Sequence, residues 1–439
     1  MWRWTFAVAI ALVAACGGND GPGDPGDKPN PPPGDNDAAF EITRARAWYL
    51  IGDDVTTGHD HFDLEITAPD GVQYVDLWIG DAAGVRLVDN GAAHLQSIDI
   101  ADLAPGDYEV LLAADGADTA FARLTFTRTH PLYLLVSTDW DTADNTETAL
   151  NLQQLLHDDH AELELTHFVG PYTFTDPTVT AERRAYLADW VRGMRDDYGD
   201  EIGLHIHPYC NFVDTTTVAC RTEPSTVYPA GDVTGYTIRC NAYTEAEFTT
   251  LLQAADDLFD AAGLNKPTSF RAGGWTADLT TLRALAATGY VADTSALNWA
   301  RLEEWDGNPP DSTLFDWNQE NWATIDDTSQ PYYPNETDIL VAQAPYLPLL
   351  EVPDNGIMVD YVDSIEMIDV FEANWSGGAL MQPTVVQYGF HPSNFVAVPY
   401  WRDIDAALDH TDMFRISKDA GPVVYATLSE MALVWKLPN

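Results

Sequence analysis

The chain runs to 439 residues, more than one ordinary core accommodates, so two or more domains are expected. Apolar residues make up 46% and aromatics 11%, with 14 Trp, which excludes a largely disordered chain. Acidic residues outnumber basic ones 69 to 21, and the formal net charge of −48 describes a surface that repels nucleic acid and anionic headgroups. Such a surface suits a salty habitat or a neutral or cationic ligand.

Residues 1–16 read as an export signal. Arg3 supplies a short positive start, and residues 6–15 are apolar and uncharged, a run too short to span a bilayer. It ends Leu12-Val13-Ala14-Ala15-Cys16, which resembles a bacterial lipobox. That resemblance implies cleavage before Cys16, lipidation of its thiol and export to the periplasmic or outer face of a bacterial membrane. Gly17 after the cysteine is compatible with the outer membrane. Residues 17–37 contain almost nothing but Gly, Pro, Asp and Asn and read as a flexible tether.

Residues 38–130 read as all-β. Tyr74-Val75-Asp76-Leu77-Trp78-Ile79 and Tyr108-Glu109-Val110-Leu111-Leu112 are strand-like. Turn signals at Pro69-Asp70-Gly71, Asp89-Asn90-Gly91 and Pro105-Gly106-Asp107 punctuate them. Short strands with regular turns predict a small sandwich. The phrase Leu103-Ala104-Pro105-Gly106-Asp107-Tyr108 resembles the late strands of immunoglobulin-like modules. His59-Asp60-His61 has no third ligand in view and reads as a surface loop.

From residue 131 to 439 apolar strands alternate with helical patterns. Leu132-Tyr133-Leu134-Leu135-Val136 is a buried-strand run, and helices are expected over 146–157, 181–197, 246–262 and 279–288. Repeated strand–helix units predict an α/β barrel or a doubly wound sheet, with chemistry collecting where strands end. Residues 299–348, rich in Trp, Asp, Asn and Pro, read as a long insertion shaping a ligand groove.

The strand ends carry the chemistry. In Glu201-Ile202-Gly203-Leu204-His205-Ile206-His207-Pro208 the period is two, so His205 and His207 share one face, and Pro208 ends the strand. Two imidazoles so placed suit zinc or another borderline divalent ion, though two ordinary histidines on one strand account for the pattern equally simply. Asp139-Trp140-Asp141 follows the first strand of this region. Phe270-Arg271-Ala272-Gly273-Gly274-Trp275, Asp293-Thr294-Ser295 and Tyr388-Gly389-Phe390-His391-Pro392 follow later ones. Together these supply metal ligands, a base, an orienting cation and an acid, the inventory of metal-assisted hydrolysis.

In order and spacing these pieces resemble the motifs of the NodB-type polysaccharide deacetylases, carbohydrate esterase family 4. The resemblance covers residues 131–439. It implies a distorted (β/α) barrel, a divalent metal held by Asp141, His205 and His207, Asp139 as the base, Arg271 orienting it, His391 as the acid and Asp293 supporting that acid. It also implies an acetylated glycan as substrate. The chain departs from the usual pattern: the two histidines are normally four apart, and the third motif lacks its Pro and Tyr. These departures leave a second reading, a catalytically inactive glycan-binding lipoprotein on the same scaffold. Trp275, Trp299, Trp305 and Trp401 are candidates for a sugar-stacking surface, each with ordinary packing as its simpler explanation. If Cys16 is lipidated, Cys210, Cys220 and Cys240 allow one disulfide and one leftover thiol, with the pairing open.

Overall fold

The computed structural model describes residues 41–67, 74–80, 85–88, 94–114, 122–228, 231–305, 313–394 and 398–438. The expected export signal with Cys16, the tether and the turn signals at 69–71 and 89–91 lie outside them. Among the described residues no helix is long and apolar enough to cross a membrane. The chain divides into two compact units. The first comprises the chain up to Pro131 together with Gly377–Gln382 and Ile416–Pro422, two pieces expected in the second.

The first unit is all-β. Strands β1 (Glu41–Arg44), β3 (His61–Thr67) and β6 (His94–Asp99) form an antiparallel sheet ordered β1-β3-β6. Strands β2 (Trp48–Leu50), β4 (Tyr74–Ile79), β5 (Val85–Val88), β7 (Gly106–Ala114) and β8 (Ala122–Thr129) form a second, ordered β2-β8-β7-β4-β5. Alternate residues of both sheets meet in one core: Phe62, Leu64 and Ile66 from β3 face Val75, Leu77, Val110, Leu112 and Phe126. Two sheets burying their period-two apolar faces against each other make a sandwich. Arg128 is buried beside this core. It donates to Leu50 O at 2.7 Å and His59 O at 2.6 Å and lies 3.3 Å from Asp60 Oδ1. The 59–61 segment is thus anchored by a buried guanidinium, and among the described residues no metal-ligand cluster forms there.

The second unit is a mixed α/β fold built on a curled parallel sheet. Its strands are β9 (Leu132–Asp139), β10 (Leu165–Val169), β11 (Glu201–Ile206), β12 (Ser269–Ala272), β13 (Ala292–Asp293), β14 (Leu350–Glu351), β15 (Thr384–Phe390) and β16 (Val423–Ala426), ordered β14-β13-β12-β11-β10-β9-β15. Strand β9 pairs with β15 along Leu132–Thr138; its other edge is shared by β16 over Leu132–Leu135 and β10 over Val136–Asp139. Every residue of β9 and β15 is buried, as expected of parallel strands covered on both faces. The covering helices are α1 (Glu147–Asp159), α2 (Ala181–Tyr198), α3 (Glu245–Ala261), α4 (Leu279–Thr288), α5 (Leu314–Asn321), α6 (Ser364–Asn374) and α7 (Val398–Thr411). Their starts are set by side-chain caps: Thr146, Thr180, Thr244, Asp278 and Asp363 each accept from a first-turn N–H.

The curl is closed by irregular chain rather than by a strand pair. After β14 the chain bonds back to β13's follow-on residues, Asp354 N donating to Ala296 O at 2.8 Å. Five residues later it runs beside β15, where Val359 N donates to Gly389 O at 2.9 Å. Between these points the Asn355 side chain accepts from Gln387 N at 3.0 Å and donates to Val385 O at 3.0 Å. One amide thus completes a ladder that no strand supplies. This seam brings two acidic residues, Asp354 and Asp360, to the C-terminal ends of the strands.

Candidate metal centre

Asp139 ends β9, and the fully buried Trp140 locks the turn, its carbonyl accepting from the Tyr172 hydroxyl. Asp139 and Asp141 consequently both reach one cavity, which His205, His207 and His391 also line. The histidines lie on one side of β11, ring centroids 4.9 Å apart. His205 Nδ1 donates to Arg271 O at 3.0 Å and His207 Nδ1 donates to Tyr236 O at 2.6 Å. A carbonyl only accepts, so both Nδ1 atoms carry hydrogen and a neutral ring presents an Nε2 lone pair. Those Nε2 atoms lie 3.1 and 3.3 Å from Asp141 Oδ1. Three electron-rich atoms so close repel one another unless a cation lies between them, and their identity, N, N and O, is the donor set of a borderline divalent ion. The residues therefore fit the expected metal.

Gly273 and Gly274 make room for this arrangement. A Cβ on Gly273 would stand 2.5 Å from His207 Nδ1, and one on Gly274, at φ +59°, would overlap the Tyr228 hydroxyl. Trp275 continues at φ 55°, costly for a bulky residue, and is held there by its Nε1 donating to Asp354 Oδ2 at 2.8 Å. The 299–348 segment packs onto this turn: the fully buried Trp322 donates to Trp275 O at 3.0 Å. It contains helix α5 as well as irregular chain.

Arg271 is fully buried. Its Nη1 donates to Asp139 Oδ1 and to Ser137 Oγ, each at 2.9 Å, and its Nη2 lies 3.4 Å from Asp354 Oδ2. One guanidinium thus serves two buried carboxylates. On the other side of Asp141, His391 Nε2 lies 3.5 Å from Oδ2. Burial disfavours charge on both groups. For Asp141 the facing imidazole charge, His391's first, outweighs it and holds the carboxylate well below its usual range. For His391 burial is outweighed by Asp141 and Asp360, which push the imidazole up to about 10.

One role expected from the sequence goes to a different residue. Asp293 is buried, but its carboxylate accepts from Ser295 Oγ at 2.9 Å and is paired with Glu351. Burial pushes Asp293 up to about 6 and Glu351 well above its usual value, so the pair is placed to share a proton. The carboxylate that meets His391 is Asp360, whose Oδ2 accepts from Nδ1 at 2.8 Å and whose Oδ1 accepts from Asn394 at 2.8 Å. The segment around Asp354 and Asp360 carries no periodicity, and the sequence reading passed over it.

Tyr236 also escaped the sequence reading. Its hydroxyl donates to Asp141 Oδ2 at 2.7 Å, and its ring stacks on His207 with centroids 4.4 Å apart. Burial and the Asp141 charge raise its phenol, keeping it a donor. The loop carrying it is tied down by Asp232, which accepts from Thr234 N and Thr237 N at 2.8 Å each, and by Cys210 N donating to Thr234 O at 2.8 Å. Cys210 itself is disulfide-bonded to Cys220, leaving Cys240 as a buried thiol that burial pushes up to about 12. Of the four tryptophans considered for stacking, Trp275 lines the cavity. Trp299 packs edge-on to Phe315, Trp401 donates to Leu152 O at 3.4 Å, and the Trp305 side chain lies outside the described residues.

No protein-family model matches the chain, and no curated protein sequence does. Among solved structures it is similar to a family 4 carbohydrate esterase from Streptomyces lividans in complex with acetate, at 11% identity and a TM-score of 0.34 over 70% of this chain and 98% of that one. A family 4 acetyl xylan esterase from Clostridium thermocellum in complex with a cobalt ion is similar at 10% identity and a TM-score of 0.33, over 68% and 90%. A 4-alpha-glucanotransferase from Thermococcus litoralis is similar at 9% identity and a TM-score of 0.40, over 70% and 41%. These are likenesses of backbone course at low identity, and the chemistry of the site rests on its own geometry.

Proposed function

We propose that the chain is a metal-dependent hydrolase that removes acetyl groups, N-linked or O-linked, from a glycan. The observation that carries this reading is the placement of one ligand set between two differently supported groups. Asp141, His205 and His207 converge on a common point, with Asp139 held by Arg271 on one side and His391 held by Asp360 on the other. These three residues would hold a divalent ion, zinc in the first instance, which would supply a Lewis acid for the carbonyl and lower the pKa of a water. Asp139 is placed to accept a proton from an attacking water, and the buried Arg271 holds its carboxylate in position through a 2.9 Å hydrogen bond. His391, charged at neutral pH, donates a proton to the departing amine or alcohol. The cavity is small, about 100 Å³, with Tyr228, Trp275, Leu314 and Tyr361 among its walls. Ordinary ligand pockets run to about 300–1,000 Å³, so an acyl group enters and the body of the substrate stays outside.

The test is metal stoichiometry measured beside acetate release from a panel of acetylated glycans. His207→Ala should lose metal and activity together. Asp139→Asn should keep the metal and lose roughly 10²–10⁴-fold in turnover. Full metal occupancy in His207→Ala breaks the ligand assignment. Metal bound by the wild type without hydrolysis of any acetylated glycan favours the glycan-binding reading instead. We further propose that the β unit is immunoglobulin-like and that the protein is exported and lipid-anchored through Cys16. Unchanged membrane fractionation of Cys16→Ser sinks the anchor.

A further inference from the structure

We propose that a groove beside α5 binds the sugar chain that flanks the reacting acetyl group, with Trp317 as its stacking platform; this rests on the deacetylase reading. The groove measures about 620 Å³ and is lined by Arg239, Asp278, Trp317, Glu320 and Asp338, among others. Three chain segments step from the catalytic cavity into it: Thr237 lines the cavity and Arg239 the groove, as do Gly274 and Asp278, and Leu314 and Trp317. Leu314 and Trp317 are three residues apart on one helix, about 4.5 Å along its axis. Thr237 and Arg239 are at most about 7 Å apart along the chain. The groove therefore begins where the cavity ends, and a polymer with one substituent in the cavity has its neighbouring rings over α5.

The chemistry of the lining selects the ligand class. Trp317 is part-exposed, and among the described residues neither its indole N–H nor the Glu320 carboxylate has a partner within the chain. Arg239 spends one nitrogen on Ser225 O at 2.6 Å, and its buried Nε has no partner among the described residues. An aromatic face ringed by unspent donors and acceptors fits a hydroxyl-rich ring, whose apolar face stacks while its rim hydrogen-bonds. One arginine stands against Asp278, Glu320 and Asp338, so uronate, sulfated or phosphorylated chains are repelled. The class is an uncharged or amine-bearing glycan.

The experiment compares kcat/KM of the full metal-loaded protein on dimers and hexamers of N-acetylglucosamine and of acetylated xylose, with 4-nitrophenyl acetate as a probe that needs only the cavity. Wild type should prefer the hexamer of the series it accepts. Trp317→Ala should lose about tenfold on that hexamer through KM, an aromatic contact's usual worth, and leave 4-nitrophenyl acetate unchanged. Glu320→Gln should keep the length preference, because the amide still bonds hydroxyls. An unchanged hexamer-to-dimer ratio in Trp317→Ala overturns the proposal. If no glycan is hydrolysed, the deacetylase reading fails on its own, and equilibrium binding of the same hexamers decides the groove. Tenfold weaker binding by Trp317→Ala supports it; equal binding, or none by the wild type, overturns it.

Discussion

His391 Nδ1 donates to Asp360 Oδ2 across 2.8 Å, and the same oxygen lies 3.2 Å from the His391 backbone N–H. The carboxylate thereby fixes both the ring's orientation and its tautomer, leaving Nε2 towards the cavity. Asp360→Asn should lower turnover by roughly 10²–10⁴-fold, the worth of a positioned acid, while metal content stays at the wild-type level. Asp293→Asn should spare turnover relative to Asp360→Asn, because Asp293 bonds Ser295 and Glu351 instead. Parallel acetate-release and metal assays on both variants check this; equal losses would return the supporting role to Asp293.

Arg271 stands between Asp139 and Asp354, both buried. Removing the cation leaves two uncompensated carboxylates, which at buried pairs costs about 3–5 kcal/mol. Arg271→Met should lower the urea midpoint accordingly. Arg271→Lys should recover part of the stability but less of the activity, since a point charge cannot reach Asp139, Ser137 and Asp354 together. Urea unfolding followed by both fluorescence and circular dichroism measures the first effect, and acetate release the second.

The parts of the site that lie on strands were legible because strand geometry is local. A period of two puts His205 and His207 on one face without reference to any other element. Arg271 is visible because an apolar run ends in an arginine, and it then pairs in register with His205. Asp354 and Asp360 could not be read this way. Their positions depend on the backbone bonds Asp354 N to Ala296 O and Val359 N to Gly389 O, which span 58 and 30 residues, and sequence pattern carries no such information. Asp293 sits on a two-residue strand whose neighbour is Glu351, so its partner too was set by register rather than by anything adjacent in the chain. The cysteines left three pairings open; the one formed, Cys210–Cys220, is the shortest span, and the Cys210 backbone N–H donates to Thr234 O in the loop that carries Tyr236.

Tyr236 touches two of the three candidate ligands, by its hydroxyl on Asp141 and by its carbonyl and ring on His207. Tyr236→Phe removes the first contact alone. Groups that hold a metal ligand in this way typically contribute 10–100-fold to affinity. Zinc affinity measured by chelator competition should fall by about that factor, with the unfolding midpoint unchanged. An unaltered affinity would show that the Asp141 carboxylate needs no help to face the ion.

His160 offers a pH test remote from the metal centre. It is buried just past the end of α1, with Nδ1 3.3 Å from Asp412 Oδ2 and Nε2 3.2 Å from Asp405 Oδ1 on α7. Two carboxylates on its two nitrogens call for both N–H groups, the imidazolium. Burial opposes that charge, but Asp412 and Asp405 outweigh burial and raise the group above its usual value of 6.5. A pKa higher in the folded than in the unfolded chain means that the folded state binds more protons. Its stabilisation is therefore complete below about pH 6.5 and is lost as pH climbs through the raised value. His160→Gln can satisfy neither carboxylate as a cation and should cost about 1–3 kcal/mol near pH 6. The difference between wild type and variant should shrink as pH climbs from about 6 through the raised value, where the wild-type ring gives up its proton. Urea midpoints of both proteins across that range measure it. A difference that stays constant with pH would mean that His160 is neutral in the fold and contributes by packing alone.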